Sequence, residues 1–115
     1  MARRQAALMA GGGYATLWSF DIRPDRKAEF EFHYGPGGTW VRLFRRAPGY
    51  LSSELLCDRA DPNRYVTIDR WESREAWQAF RQHFAADYER LDREFEGLTT
   101  AEAPLGEFTP AGIAS

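Results

Sequence analysis

The sequence predicts an α+β fold of ferredoxin-like type, β-α-β-β-α-β, with a four-stranded antiparallel sheet covered on one face by helices. Three observations carry that expectation. Alternating segments at 14–22, 50–57 and 64–71 read as strands. Trp77, Phe80, Phe84, Tyr88, Leu91 and Phe95 recur at steps of three or four, one apolar stripe on a long helix. The turn-forming run Asp58-Arg59-Ala60-Asp61-Pro62-Asn63 joins the second and third strands as a hairpin.

In the first strand, Tyr14, Thr16, Trp18, Phe20 and Ile22 share one face, and Ala15, Leu17, Ser19 and Asp21 share the other. Pro24 suits the first turn of a helix, where Asp25 meets the positive end of the dipole. That helix runs to about Tyr34 and buries Phe30 and Tyr34, with Phe32 harder to place; Gly35-Pro36-Gly37-Gly38 stops it. Thr39 is the expected cap of a short helix with Trp40, Leu43 and Phe44 inward and Arg42, Arg45 and Arg46 outward. Pro48-Gly49 breaks it.

The stripe predicts one helix from Ser73, as N-cap, to about Phe95, with Gly97 placed for a left-handed C-terminal cap. A last strand falls between Thr99 and Phe108. Pro104 has no amide to give to a ladder, so this strand belongs at an edge. Residues 14–108 form a single domain, with a flexible arm over 1–13 and a tail over 109–115. The N-terminal segment has only five apolar residues in a row, too short for a secretory leader.

Helices on one face leave the other face bare. On the strand phases above, that face carries Leu17, Leu51 and Leu55, and a homodimer packed sheet on sheet is the expected cover.

Composition excludes several classes. A net charge of −2 argues against a nucleic-acid binder. Cys57 is the only cysteine, so neither an internal disulfide nor a cysteine-rich zinc site is available, and a reducing cytoplasm is the expected location. No apolar run is long enough to span a membrane. The Gly35–Gly38 turn lacks the Lys-Ser/Thr of a phosphate loop, and no nucleophile elbow is present.

Four segments together resemble a known family. They are Asp21-Ile22-Arg23-Pro24-Asp25, Arg46-Ala47-Pro48-Gly49-Tyr50-Leu51, the stretch from Leu55 to Tyr65, and the stretch from Ile68 to Trp77. The Pro-Gly-Tyr step into a strand and the Trp-Glu-Ser step into a helix are the specific parts. Over about residues 14–108 the chain resembles the antibiotic biosynthesis monooxygenase family of the dimeric α/β-barrel superfamily. The resemblance implies a homodimer whose sheets form a barrel, with a small-molecule pocket in each subunit between sheet and helices. Some relatives oxygenate polycyclic phenols with O₂ and neither metal nor flavin, so no cofactor is expected. Others degrade haem, using a first-strand Asn, a Trp ending the third strand and a His about three helical turns later. Trp71 matches that Trp, but Trp18 stands at the Asn position and Arg81 at the His position. His83, two residues on, is rotated by about 200°. Haem degradation is therefore not expected.

Trp18, Tyr34, Trp40, Trp71 and Tyr88 are the candidate substrate-binding residues, as flat surfaces or phenolic donors for an aromatic ligand. His33 and His83 are the only histidines and the candidate catalytic bases, because a cofactor-independent oxygenase must deprotonate its phenol. Glu29/His33 and His83/Asp87 are i,i+4 pairs, but no paired-His motif accompanies them and no metal is expected. The leading reading is a monooxygenase acting on an aromatic or polycyclic small molecule. The alternatives are a non-catalytic binding or dimerisation module, and an isomerase or lyase on the same scaffold.

Overall fold

The computed structural model describes residues 13–112. The arm expected over 1–13, apart from Gly13, and the last three residues of the expected tail lie outside them. The elements run β1 (Tyr14–Ile22), a 3₁₀ turn (Pro24–Arg26), α1 (Lys27–Tyr34), α2 (Thr39–Phe44), β2 (Tyr50–Cys57), β3 (Arg64–Trp71), α3 (Arg74–His83), α4 (Ala85–Phe95), a second 3₁₀ turn (Glu96–Leu98) and β4 (Thr99–Phe108). The strands pair antiparallel in the order β2-β3-β1-β4, which is the ferredoxin-like topology. As Pro104 requires, β4 is an edge strand.

The core lies between the sheet and the helices. Phe30, Tyr65, Trp71 and Phe80 are its largest fully buried side chains, and each contributes about 2–3 kcal/mol through burial alone. Phe30 stacks on Tyr34 with ring centroids 4.3 Å apart, which holds α1 against Phe20 and Tyr65. Trp71 sits against Phe44, Tyr50 and Phe80 and so joins α2, β2 and α3.

Four local expectations are corrected. The long helix is two. Phe84 leaves the helical range at φ −113°, ψ 25°, closing α3 with its amide on Phe80 O. No glycine or proline marks the break. The Phe84 ring instead lies between Phe80 and the Arg46 guanidinium, so packing of the stripe around the sheet accounts for the bend. Gly97 does not form a left-handed cap, because the chain leaves α4 through the 3₁₀ turn that contains it. Gly38, not Thr39, is the N-cap of α2, and the Thr39 hydroxyl pairs with His33.

Leu55, expected on the bare face, is on the helix side. A register shift at Leu51 lets Tyr50 oppose Trp71 and Ser52 oppose Arg70, which reverses the strand phase beyond it. Leu55 then pairs with Thr67 and packs on the core. The bare face carries Leu17 opposite Ile68 and Leu56 opposite Val66, with Phe108 opposite Ala15. Leu56 and Phe108 are about half exposed, at 46% and 48%.

The two steps that carried the family resemblance meet in space. Gly49 O accepts the Glu72 amide at 2.8 Å, Tyr50 pairs with Trp71, and Ser73 caps α3 through the Ala76 amide. Gly49 adopts φ +89°, and a side chain there would come within 2.6 Å of Ala76 Cβ. The Pro-Gly-Tyr turn is thereby wedged against the first turn of α3.

Candidate functional site

Between the sheet and the helices lies a cavity of about 290 Å³, near the lower end of small-molecule sites. Its floor follows from strand alternation. Thr16, Trp18 and Phe20 rise from β1, and Thr67, Asp69 and Trp71 from β3. The walls are Tyr34 of α1, Trp40 and Phe44 of α2, Trp77 and Phe80 of α3, and Tyr88 of α4.

All five aromatic residues singled out in the sequence line this one cavity: Trp18, Tyr34, Trp40, Trp71 and Tyr88. Trp40 and Tyr88 meet edge to face at 5.0 Å, closing the wall between α2 and α4. The buried indole N–H of Trp71 makes no hydrogen bond to the protein, an uncommon condition for a buried donor. Burial raises the hydroxyl pKa of Tyr34 and of Tyr88, so both phenols keep their protons at neutral pH.

Neither histidine lines it. His33 Nδ1 is 2.8 Å from Thr39 Oγ1, and its ring stacks on Phe95 at 4.1 Å, bracing α1 against α2 and α4. His83 borders a separate surface depression with Pro48, Gly49 and Glu72. The i,i+4 pairs do not converge either: among the described residues, no three His, Cys, Asp or Glu side chains come together as a metal site would need.

The ionisable group on the floor is Asp69. Sequence reading passed over it as one acid among many. The signal was its place in β3, in phase with Tyr65, Thr67 and Trp71 on the side that is buried. Ser53, its register partner on β2, donates from Oγ to Asp69 Oδ1 at 2.6 Å, and Tyr50 Oη lies 2.7 Å from the same Oγ. Burial pushes the Asp69 carboxyl up from 3.8 to about 6, with the Ser53 bond offsetting part of the rise. No lysine, arginine or histidine lines the cavity to hold the carboxyl down. Arg81 is exposed and lies over the Tyr88 ring at 4.1 Å and the Trp77 ring at 5.6 Å, without lining the cavity itself.

The remaining lining acids, Asp92, Glu96 and Glu102, stand together at the other end. Burial raises the Glu102 pKa first, and neighbouring Asp92 and Glu96 add to it.

A four-stranded antiparallel sheet with helices on one face and a cavity between them defines the class, an α+β fold of ferredoxin-like type. The antibiotic biosynthesis monooxygenase model matches residues 14–87, more than half of the chain, and the chain belongs to that family. Solved structures agree on the fold. A candidate antibiotic biosynthesis monooxygenase from Bordetella bronchiseptica superposes with a TM-score of 0.70 at 23% identity, covering 87% of this chain and 98% of that one. A second, from Nitrosomonas europaea, gives 0.68 at 17% identity over 89% and 93%. SnoaB, a cofactor-independent oxygenase from Streptomyces nogalater, gives 0.65 at 19% identity over 86% and 93%. Comparison with curated protein sequences finds no match. No helix among the described residues is long and apolar enough to cross a membrane.

Proposed function

We propose that this chain is a cofactor-independent monooxygenase that oxidises an aromatic or polycyclic small molecule in the cavity between sheet and helices. The observation that carries the reading is Asp69, a buried carboxylate with a raised pKa on the floor of the cavity, among Trp18, Trp71 and Tyr88. Family membership and the fold shared with SnoaB support the reaction class.

The substrate aromatic body packs among Trp18, Trp40, Trp71 and Tyr88, where stacking and burial supply the binding energy. Asp69 takes a proton from the substrate. That transfer moves charge without adding any to the cavity, since Asp69 becomes neutral as the substrate becomes an anion. The electron-rich anion reduces O₂ by one electron, the two radicals combine into a substrate peroxide anion, and Asp69 returns its proton to give the hydroperoxide. Loss of water leaves a carbonyl. For a CH₂ centre, one O₂ is consumed; one oxygen enters the substrate and the other leaves as water with the two hydrogens. The Ser53 hydroxyl, itself bonded to Tyr50, holds Asp69 in place while it carries the proton from the substrate to the peroxide. In this account neither His33 nor His83, the bases named from sequence, touches substrate: His33 braces α1, and His83 borders a separate depression.

The working unit is a homodimer, covering the bare face that presents Leu17, Leu56, Ile68 and Phe108. The exposed, unpaired Cys57 fits a reducing cytoplasm. The test is oxygen uptake with a panel of anthrones and hydroquinones in metal-free, flavin-free buffer, with the product expected one oxygen heavier and two hydrogens lighter. An isomerase or lyase on the same scaffold would use Asp69 equally well, but its turnover would persist without O₂.

A further inference from the structure

The cavity floor is not level, and the side chain that stands up in the middle of β1 is Trp18. We infer that Trp18 sets the length of the substrate: the aromatic body starts at Asp69, runs along the floor and ends against the Trp18 indole. The ring system that fits is then naphthalene-sized, counted from the reacting atom, and a longer one is turned away. This inference rests on the cavity being the binding site with Asp69 at the reacting position, as proposed above.

The register gives the spacing. Asp69 opposes Thr16, and Trp18 is the next floor position along β1, so its level lies about 7 Å from that of Asp69. The cavity continues past Trp18 for about as much again, to the level where Phe20 opposes Glu102. Across the strands the neighbours of Trp18 are Thr67 and Pro104, both much smaller, so the indole rises above the floor on either side. A volume of about 290 Å³ suits a short ligand.

Core packing does not account for this indole. The other tryptophans lining the cavity are each braced by a ring from another element. Trp40 meets Tyr88 of α4 at 5.0 Å, Trp71 meets Phe80 of α3 at 5.1 Å, and Trp77 meets Tyr14 of β1 at 5.7 Å. Among the described residues, the Trp18 ring meets only that of Phe20, two residues along its own strand, at 6.4 Å. Trp18 is half-buried although it lies between sheet and helices. A large flat side chain that ties no second ring-bearing element to its strand, and stands in the line of a cavity, is placed to meet a ligand.

The test is equilibrium dialysis of the full chain against 1-naphthalenemethanol and 1-pyrenemethanol. The two carry the same group at the same ring position and differ in how far the rings extend beyond it. Burial alone favours the pyrene, which has more apolar surface. The wild-type chain is expected to bind the naphthalene at least about tenfold tighter, and the order should reverse in Trp18→Ala and in the less disruptive Trp18→Leu. Tyr88→Leu, which enlarges the cavity from the helix side, should keep the wild-type order. Tighter binding of the pyrene by the wild-type chain overturns the inference. So does an order left unchanged by both Trp18 variants, or one reversed equally by Tyr88→Leu; in each of these cases the cavity stands as a binding site. If neither probe binds any of the chains, the inference fails together with the cavity reading.

Discussion

Ser53 and Asp69 face each other across β2 and β3, and the serine hydroxyl donates to the carboxylate at 2.6 Å. The bond exists because the register shift at Leu51 turns Ser53 to the helix side. It gives a carboxylate beneath an aromatic cavity one fixed orientation, leaving burial as the dominant influence on its proton.

Replacing Asp69 separates stability from activity. Its pKa is raised on folding, from 3.8 to about 6. The stability it contributes is therefore full below about pH 4 and is lost as pH rises through about 6. Above that range the folded protein bears the cost of a desolvated carboxylate, on the order of 3 kcal/mol at 1.36 kcal/mol per pKa unit. Asp69→Asn is expected to raise the urea midpoint at pH 8 and to leave it nearly unchanged at pH 4. Chemical denaturation at the two pH values checks the sign.

Ser53→Ala removes the one side-chain donor that favours the charged form of Asp69. The Asp69 pKa should rise further, by about one unit. Since the base must be ionised, the acidic limb of kcat/KM moves to higher pH by the same amount while the plateau rate changes less. A pH–rate profile of the variant reads this directly.

Gly49→Ala tests the contact between the two family steps. At φ +89°, and with a new Cβ 2.6 Å from that of Ala76, the turn must distort or push α3 away. A loss of about 2 kcal/mol or more is expected, seen as a lower midpoint in denaturant.

Charge on the bare face tests the dimer. Ile68 and Leu17 are cross-strand partners at its centre, so Ile68→Arg should disperse the assembly without disturbing the helix side. Sedimentation should give twice 13.2 kDa for the wild-type chain and 13.2 kDa for the variant. A monomeric wild type would remove the dimer from the account.

The sequence made the framework readable because alternation and the 3.6-residue stripe reflect burial directly. Thus β1, β2 and β3 and the start of α3 fell where expected, and Trp18, Tyr34, Trp40, Trp71 and Tyr88 were found in one cavity. What escaped depends on contacts between segments. The bend at Phe84 has no breaker residue in the sequence and comes from ring packing. The phase of Leu55 depends on an extra residue, Leu51, visible only once β2 is paired with β3. Asp69 looked like an ordinary surface acid, and its chemistry comes from Ser53 and the cavity above it. The histidines drew attention because imidazole as a residue type suits proton transfer near neutral pH, which says nothing of which way a helix face points.

The central claim is that Asp69 is the base of an oxygen-consuming reaction in this cavity. It is tested most directly by oxygen uptake of the wild-type chain and Asp69→Asn side by side, with an aromatic substrate that both bind equally. The account predicts one O₂ consumed per product by the wild type and a rate at least 100-fold lower in the variant, with the His33→Ala and His83→Ala chains staying within about threefold of wild type. Equal oxygen uptake by the wild type and Asp69→Asn would contradict it.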